Sequence, residues 1–281
     1  MNNTFSFNRF GKLLAMDGRK YFRNFGITLA ILCCLNIVLW ILSVVFGFTM
    51  PTLARYLVIW LSVFLGIIMV PAKAFGDINL PCEGVRYAML PASTLEKYFS
   101  YILFCLMTPF IIFLGSWGID SLLTLLPIGG FVHYIRHFVF SDIMQDFFRE
   151  IAEMSGVDAT SEEIFDHEVY NVFASKHFTY SKIMGIILNL GIFMFGNLLF
   201  NTHKTGKTLV LMIGVSYVVS TLMQMVLIAK GGSFMMNTDM SNYTSLGKFI
   251  TSIFSVTNVI NTLITVGVYV GIFFKLKTQK Y

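Results

Sequence analysis

An all-helical, multi-pass membrane protein is the fold class this 281-residue sequence predicts, and three observations predict it. The chain holds six long apolar runs, near 27–48, 52–72, 98–126, 183–200, 208–229 and 249–274. A hydrocarbon core of about 30 Å takes roughly 20 apolar residues of helix to cross, and each run is about that long or longer. Composition agrees: 56% of residues are hydrophobic, only 12% are charged, and the mean hydropathy is +0.73. The placement of charge is the third observation. Lys and Arg gather at the ends of the apolar runs, as the positive-inside bias requires. A net charge of +5 distributed in this way points to lipid head groups and away from nucleic acid.

The first 26 residues precede the first span and carry Arg9, Lys12, Arg19, Lys20 and Arg23 against one acid, Asp17. Phe7, Phe10, Leu14 and Tyr21 fall among them at helical spacing, so a basic amphipathic helix lying on the inner leaflet is expected. The first run is too long for a signal-peptide core and reads as an uncleaved span. The N-terminus is then cytoplasmic, the turn at 49–52 is external, and Arg55 is expected to snorkel toward head groups. The 73–97 loop, with Lys73, Arg86 and Lys97, returns to the cytoplasm. So do Lys204 and Lys207 at 201–207 and the tail with Lys275, Lys277 and Lys280. The segment 127–180 is an external insert between spans three and four, holding nine acids against Arg136, Arg149 and Lys176. Its apolar periodicity from Phe140 to Met154 and the capping box opened by Thr160 and Ser161 predict a small acidic helix pair. The 230–248 loop is external as well.

Cys33, Cys34 and Cys105 lie in apolar runs as small fillers, and Cys82 lies in a loop, so no disulfide framework is expected. Ionisable groups are nearly missing from the spans. Asp120 is the one carboxylate in an apolar run, roughly 36 Å along its helix and so at the outer surface. Its position argues against an ion-coupled carrier, which keeps charge at mid-membrane. In the sixth span Thr251, Ser255, Asn258, Thr262 and Thr265 recur at four, three, four, three. Asn189 and Asn197 in the fourth span, and Ser216, Ser220 and Gln224 in the fifth, add neutral polar groups. Helix packing through small hydrogen-bonding residues explains such stripes. A mildly polar wall of a translocation path is the functional alternative.

The loop between spans two and three is the most informative local text. Ser93 and Glu96 form a capping box that opens the third span. Pro91 ends whatever helix precedes it. A compact, rigid elbow on the cytoplasmic face is therefore expected. The segment 89–97, Met-Leu-Pro-Ala-Ser-Thr-Leu-Glu-Lys, resembles the cytoplasmic loop of permease subunits of bacterial ATP-binding cassette exporters, the type-2 permease group. The link 196–208, with its glycine, aromatic residue and Lys-Thr pair, is similar to theirs, as are the six-span layout and basic N-terminal helix. One feature of layout differs: well-studied members carry their main external helices between the last two spans. The resemblance implies a loop that contacts a separate cytoplasmic ATPase, with Glu83, Arg86, Leu90, Pro91, Ser93, Glu96 and Lys97 as contact residues. It also implies a second permease copy or a similar chain as partner, ATP and Mg bound on the ATPase, and location in the bacterial inner membrane.

No power source is legible in this chain. Gly206-Lys207-Thr208 echoes the end of a phosphate-binding loop, but the required earlier glycine is Asn201. Other catalytic patterns are incomplete. His133 and His137 at i, i+4 lack a third ligand for a metal. His137 with Asp142, and Glu162-Glu163 with His167, lack the companion motifs of acyltransferases and intramembrane proteases. No metal site, no resident cofactor and no enzymatic activity are expected. The competing reading is a non-transporting scaffold or sensor acting through its external insert.

Overall fold

The computed structural model describes residues 5–79, 81–126, 131, 135, 176–237 and 243–278. The elements expected at 140–174, with His133, His137, Asp142, Glu162, Glu163 and His167, lie outside them, as do the side chains of Glu83 and Thr251. Every regular element among the described residues is helical. The helices are α1 (Phe7–Cys33), α2 (Leu35–Phe46), α3 (Thr52–Ala74), α4 (Pro81–Met89), α5 (Thr94–Thr124), α6 (Lys176–Leu199), α7 (Lys204–Asn237) and α8 (Tyr243–Thr278). A 3₁₀ turn at Gly76–Asn79 joins α3 to α4.

The basic N-terminal segment and the first apolar run are one helical rod. Helix α1 passes through residues 26 and 27 unbroken, and the rod is interrupted only at Cys34, whose amide is shared between the carbonyls of Ala30 and Ile31 at 3.1 Å each. At 1.5 Å per residue, the 40 residues Phe7–Phe46 span about 60 Å, twice the hydrocarbon thickness. Gly47 ends the rod at φ +65°, a left-handed position that costs glycine nothing. Pro51 then starts α3.

Helix directions follow from paired residue numbers. Along α1, α2 and α5 the hydrogen-bonded partners keep a nearly constant separation: Ser6 with Glu96, Asp17 with Ser100, Tyr21 with Thr108, Asn36 with Asp120. The separations are 90, 83, 87 and 84, so these rods run parallel, side by side. On α3 the partner number falls as the α5 number rises, from Phe75 beside Tyr101 to Arg55 beside Asp120, so α3 is antiparallel to both. Helices α6 and α8 are parallel, with Gly191 against Tyr269 and Phe195 against Gly271. The start of α1, the end of α3, the starts of α5 and α7, and the ends of α6 and α8 therefore share one end of the bundle.

Helix α5 shows what solvent this fold is made for. Its buried side holds Ser100, Thr108, Ser116 and Asp120, while Leu106, Met107, Phe110 and Leu114 face outward. A soluble helix is arranged the other way round, because exposed apolar area is unfavourable in water. Five stretches among the described residues are long and apolar enough to cross a membrane: Phe7–Phe46, Thr52–Ile78, Thr94–Thr124, Phe178–Leu199 and Ser255–Thr278. The chain is an all-helical, multi-pass membrane protein. The run 208–229 lies within α7, which is helical from Lys204 to Asn237, and α8 begins at Tyr243, so most of the segment expected as a 230–248 loop extends these two helices instead.

Candidate functional site

The elbow between α3 and α5 is built as its sequence requires. Helix α4 stops at Met89, and the chain turns over Pro91, where the Ala92 amide donates to the Leu90 carbonyl at 2.7 Å. Ser93 then caps α5: its Oγ accepts from the Glu96 amide at 3.2 Å, and Glu96 Oε2 accepts from the Ser93 amide at 2.8 Å. The capping box inferred from four letters of sequence is present.

The same carboxylate reaches further than a cap. Glu96 Oε1 accepts from the Ser6 amide at 2.8 Å and from Arg9 Nη2 at 3.2 Å, and its side chain is fully buried. It closes the start of α1 onto the start of α5. Other ties converge on the elbow: Lys20 of α1 pairs with Asp77 at 3.4 Å, and Lys204 of α7 donates to the Gly76 carbonyl. Asn197 of α6 donates to the Phe75 carbonyl at 3.4 Å and to the Tyr101 hydroxyl at 3.3 Å. Phe75 and Ile78 are buried, with Phe75 edge-on to Tyr101 at 5.0 Å. Helices α1, α5, α6 and α7 thus all hold this segment.

The residues expected to face a partner divide under this geometry. Arg86 and Pro91 are exposed, Leu90 is half-buried against the core, and Met89 between them is 76% exposed. Ser93 is half-buried as the cap, and Lys97 lies over the Tyr87 ring at 5.5 Å. Glu96 does not face out at all. Its oxygens are engaged within the bundle, so its role is to clamp.

The polar stripe of α8 and Asn197 of α6 lie at different levels of the bundle. Ser255, Asn258 and Thr262 line a cavity of about 350 Å³ with Tyr180, whose hydroxyl lies 2.9 Å from Thr262 Oγ1. Thr262 and Thr265 donate back to the carbonyls of Asn258 and Asn261 at 2.6 and 2.7 Å, satisfying their hydroxyls within the helix. Asn197 sits instead at the elbow, about 26 Å along α6 from Tyr180. Asn189 is half-buried, and Ser216, Ser220 and Gln224 are exposed.

Two arrangements escaped the sequence reading. The first is the zipper on α5: Ser100 Oγ donates to Asp17 Oδ2 at 2.6 Å, Tyr21 and Thr108 meet at 2.8 Å, and Ser116 donates to the Leu32 carbonyl at 3.5 Å. Its signal was available, since 96, 100, 108, 116 and 120 all differ by multiples of four. The second is at the far end of the same helices. Arg55 does not snorkel to head groups; it turns inward and grips Asp120 through Nε at 3.1 Å and Nη2 at 2.5 Å. Asn36 donates to the same carboxylate at 3.2 Å, and the Phe131 ring lies 4.3 Å from the guanidinium. Arg55 and Asp120 are both fully buried, each supplying the charge that makes burial of the other tolerable.

Among the described residues no three His, Cys, Asp or Glu side chains come together as metal ligands would. Cys33 and Cys34 are half-buried free thiols, and Cys105 is a buried one. No family model, no curated protein and no solved structure matches this chain.

Proposed function

We propose that this chain is the membrane permease subunit of an ATP-binding cassette exporter of the type-2 group. In this reading it crosses the bacterial inner membrane six times with both termini cytoplasmic. It pairs with a second copy or a similar chain and moves an amphipathic substrate across the bilayer. The chain hydrolyses no nucleotide; ATP and Mg belong to a separate cytoplasmic ATPase.

The observation that carries the reading is the elbow at 75–97. A coupling segment must do two things: present a surface to a soluble motor, and be too stiff to absorb the push. Exposed Arg86, Met89 and Pro91 supply a small apolar tip with a charge beside it. Anchorage by Glu96, Lys20, Lys204 and Asn197 supplies the stiffness. A load on α4 reaches α3 directly, α5 through the cap, and α1 through Glu96. The fully buried Arg55–Asp120 pair ties α3 to α5 at the far end, so the load tilts these helices together and leaves their lateral packing intact.

Affinity purification of the tagged chain from its native membrane tests this. An ATPase subunit should co-purify, and Met89→Glu with Arg86→Glu should remove it while leaving the fold intact by circular dichroism. Native membranes that yield no ATPase in complex with the unaltered chain would overturn the reading.

A further inference from the structure

Between the first helix and the elbow lies a cleft of about 1050 Å³ at the basic end of the bundle. Lys12, Arg19, Lys20 and Arg23 enter it from α1, and Arg86 enters from α4. Lys12, Arg19 and Arg23 are spaced seven and four apart and so share one face of α1. Two acids also line it. Asp77 is paired with Lys20 at 3.4 Å, and Asp17 is a buried member of the lining, accepting from Ser100 Oγ at 2.6 Å. Among the described lining residues, five cations stand against two carboxylates. The second oxygen of Asp17 is buried and finds no hydrogen-bond partner among the described residues. Ala15, Met16 and Leu90 supply apolar wall between the charges.

We infer that this cleft binds a hydroxyl-bearing phosphate ester, with the phosphate among Arg19, Arg23 and Arg86 and a hydroxyl donated to Asp17. Guanidinium groups hold phosphate oxygens with charge-assisted hydrogen bonds, and basic pockets beside membrane helices recognise anionic head groups. A simple inorganic anion would leave Asp17 as it is. A polyol attached to the phosphate completes it, because a buried acceptor without a donor costs free energy. The ester can be the head group of an anionic phospholipid or a soluble sugar or glycerol phosphate. Either one bridges α1 to α4 and stiffens the elbow from the side that Glu96 does not reach. The site stands whether or not a motor docks at Met89 and Pro91, the tip with which it shares Arg86.

The experiment uses the full-length protein in neutral phosphatidylcholine nanodiscs, with lipid retention read by native mass spectrometry and stability by thermal shift. Phosphatidylglycerol should be retained and should raise the transition temperature. Phosphatidylmethanol, which has the same charge and no hydroxyl, should bind roughly tenfold more weakly. Arg19→Gln with Arg23→Gln should weaken phosphatidylglycerol binding by roughly tenfold. Arg19→Lys with Arg23→Lys should keep most of it. Lys275→Gln with Lys277→Gln, which removes the same charge elsewhere on the basic end, should change nothing. Competition by soluble glycerol phosphate at equal concentration supports the site and assigns it to a soluble ester. Equal retention by the wild type and the Gln pair overturns the site. So does an equal loss in the Lys275/Lys277 control, which would mark a diffuse basic surface, and so does indifference to the hydroxyl.

Discussion

Two groups of helices in this molecule are held together by different means. Helices α1, α2, α3 and α5 meet through a polar seam that runs from Glu96, through Ser100–Asp17 and Thr108–Tyr21, to Asp120 with Arg55 and Asn36. Helices α6 and α8 meet mainly through glycines and rings, with Tyr180 touching Thr262 at 2.9 Å and the Tyr269 hydroxyl donating to the Ile187 carbonyl at 3.2 Å beside them. A methyl group on Gly191 would lie 2.9 Å from the Tyr269 ring, and one on Gly271 would lie 3.3 Å from Phe195. The two halves illustrate two answers to one problem. In lipid no hydrophobic force drives helices together, so contact must come from hydrogen bonds or from close fit between small and large surfaces. Hydrogen bonds specify register at named points along a rod. Close fit specifies distance and tolerates sliding. A seam with charged locks at both ends transmits a push along its length; a glycine-and-ring contact is suited to yielding.

The comparison breaks first, and hardest, at the buried ion pair. Asp120→Leu leaves the Arg55 guanidinium buried without its carboxylate and should cost about 3–5 kcal/mol in a detergent unfolding titration. The double change Arg55→Leu with Asp120→Leu should recover most of that loss. If the single and double changes were equally damaging, the pair would contribute shape alone. At the other lock, Glu96→Gln keeps the side chain's size but removes the charge that Ser6, Ser93 and Arg9 converge on. A loss of about 1.5–3 kcal/mol is expected, with faster hydrogen exchange over 76–97 and at the start of α1. Exchange confined to the α5 cap would show that the N-terminal segment is held by something else.

In the second half, Gly191→Ala should overpack the contact with Tyr269 and cost about 1 kcal/mol, with Tyr269→Leu in the same chain restoring stability. No rescue would mean that ring contact is not what sets the α6–α8 distance. Smallest is Thr108→Val, which removes the hydroxyl beside Tyr21 while keeping its volume. Roughly 0.6 kcal/mol is expected, the scale of a single hydrogen bond between membrane helices. A loss several times larger would place the strength of the seam in its middle.

Much of this was legible before any coordinates. The apolar runs located the helices because backbone groups in lipid must bond internally, and helix is the way a single segment does so. Ser93 and Glu96 announced their box because a cap is a local contact, complete within four residues. Glu96's second task was not legible, since Ser6 and Arg9 lie 90 and 87 positions away. Arg55 misled for a similar reason. Four residues beyond Pro51, it has the position of a snorkelling residue, and only its distance to Asp120 shows that it turns inward. The α5 stripe lay open in the spacing, yet its serines and threonines were diluted among about three times as many apolar residues.

Sequence alone determined that the chain lives in lipid, that its apolar runs are helical and where the elbow bends. Each of these depends on composition or on contacts a few residues long. Tertiary structure decided which charges are buried, which face of each rod is polar, and that one end of the bundle gathers five basic side chains around a cleft. Those outcomes depend on pairs far apart in the chain, and a pair interaction leaves no mark on either residue until the fold brings the two together.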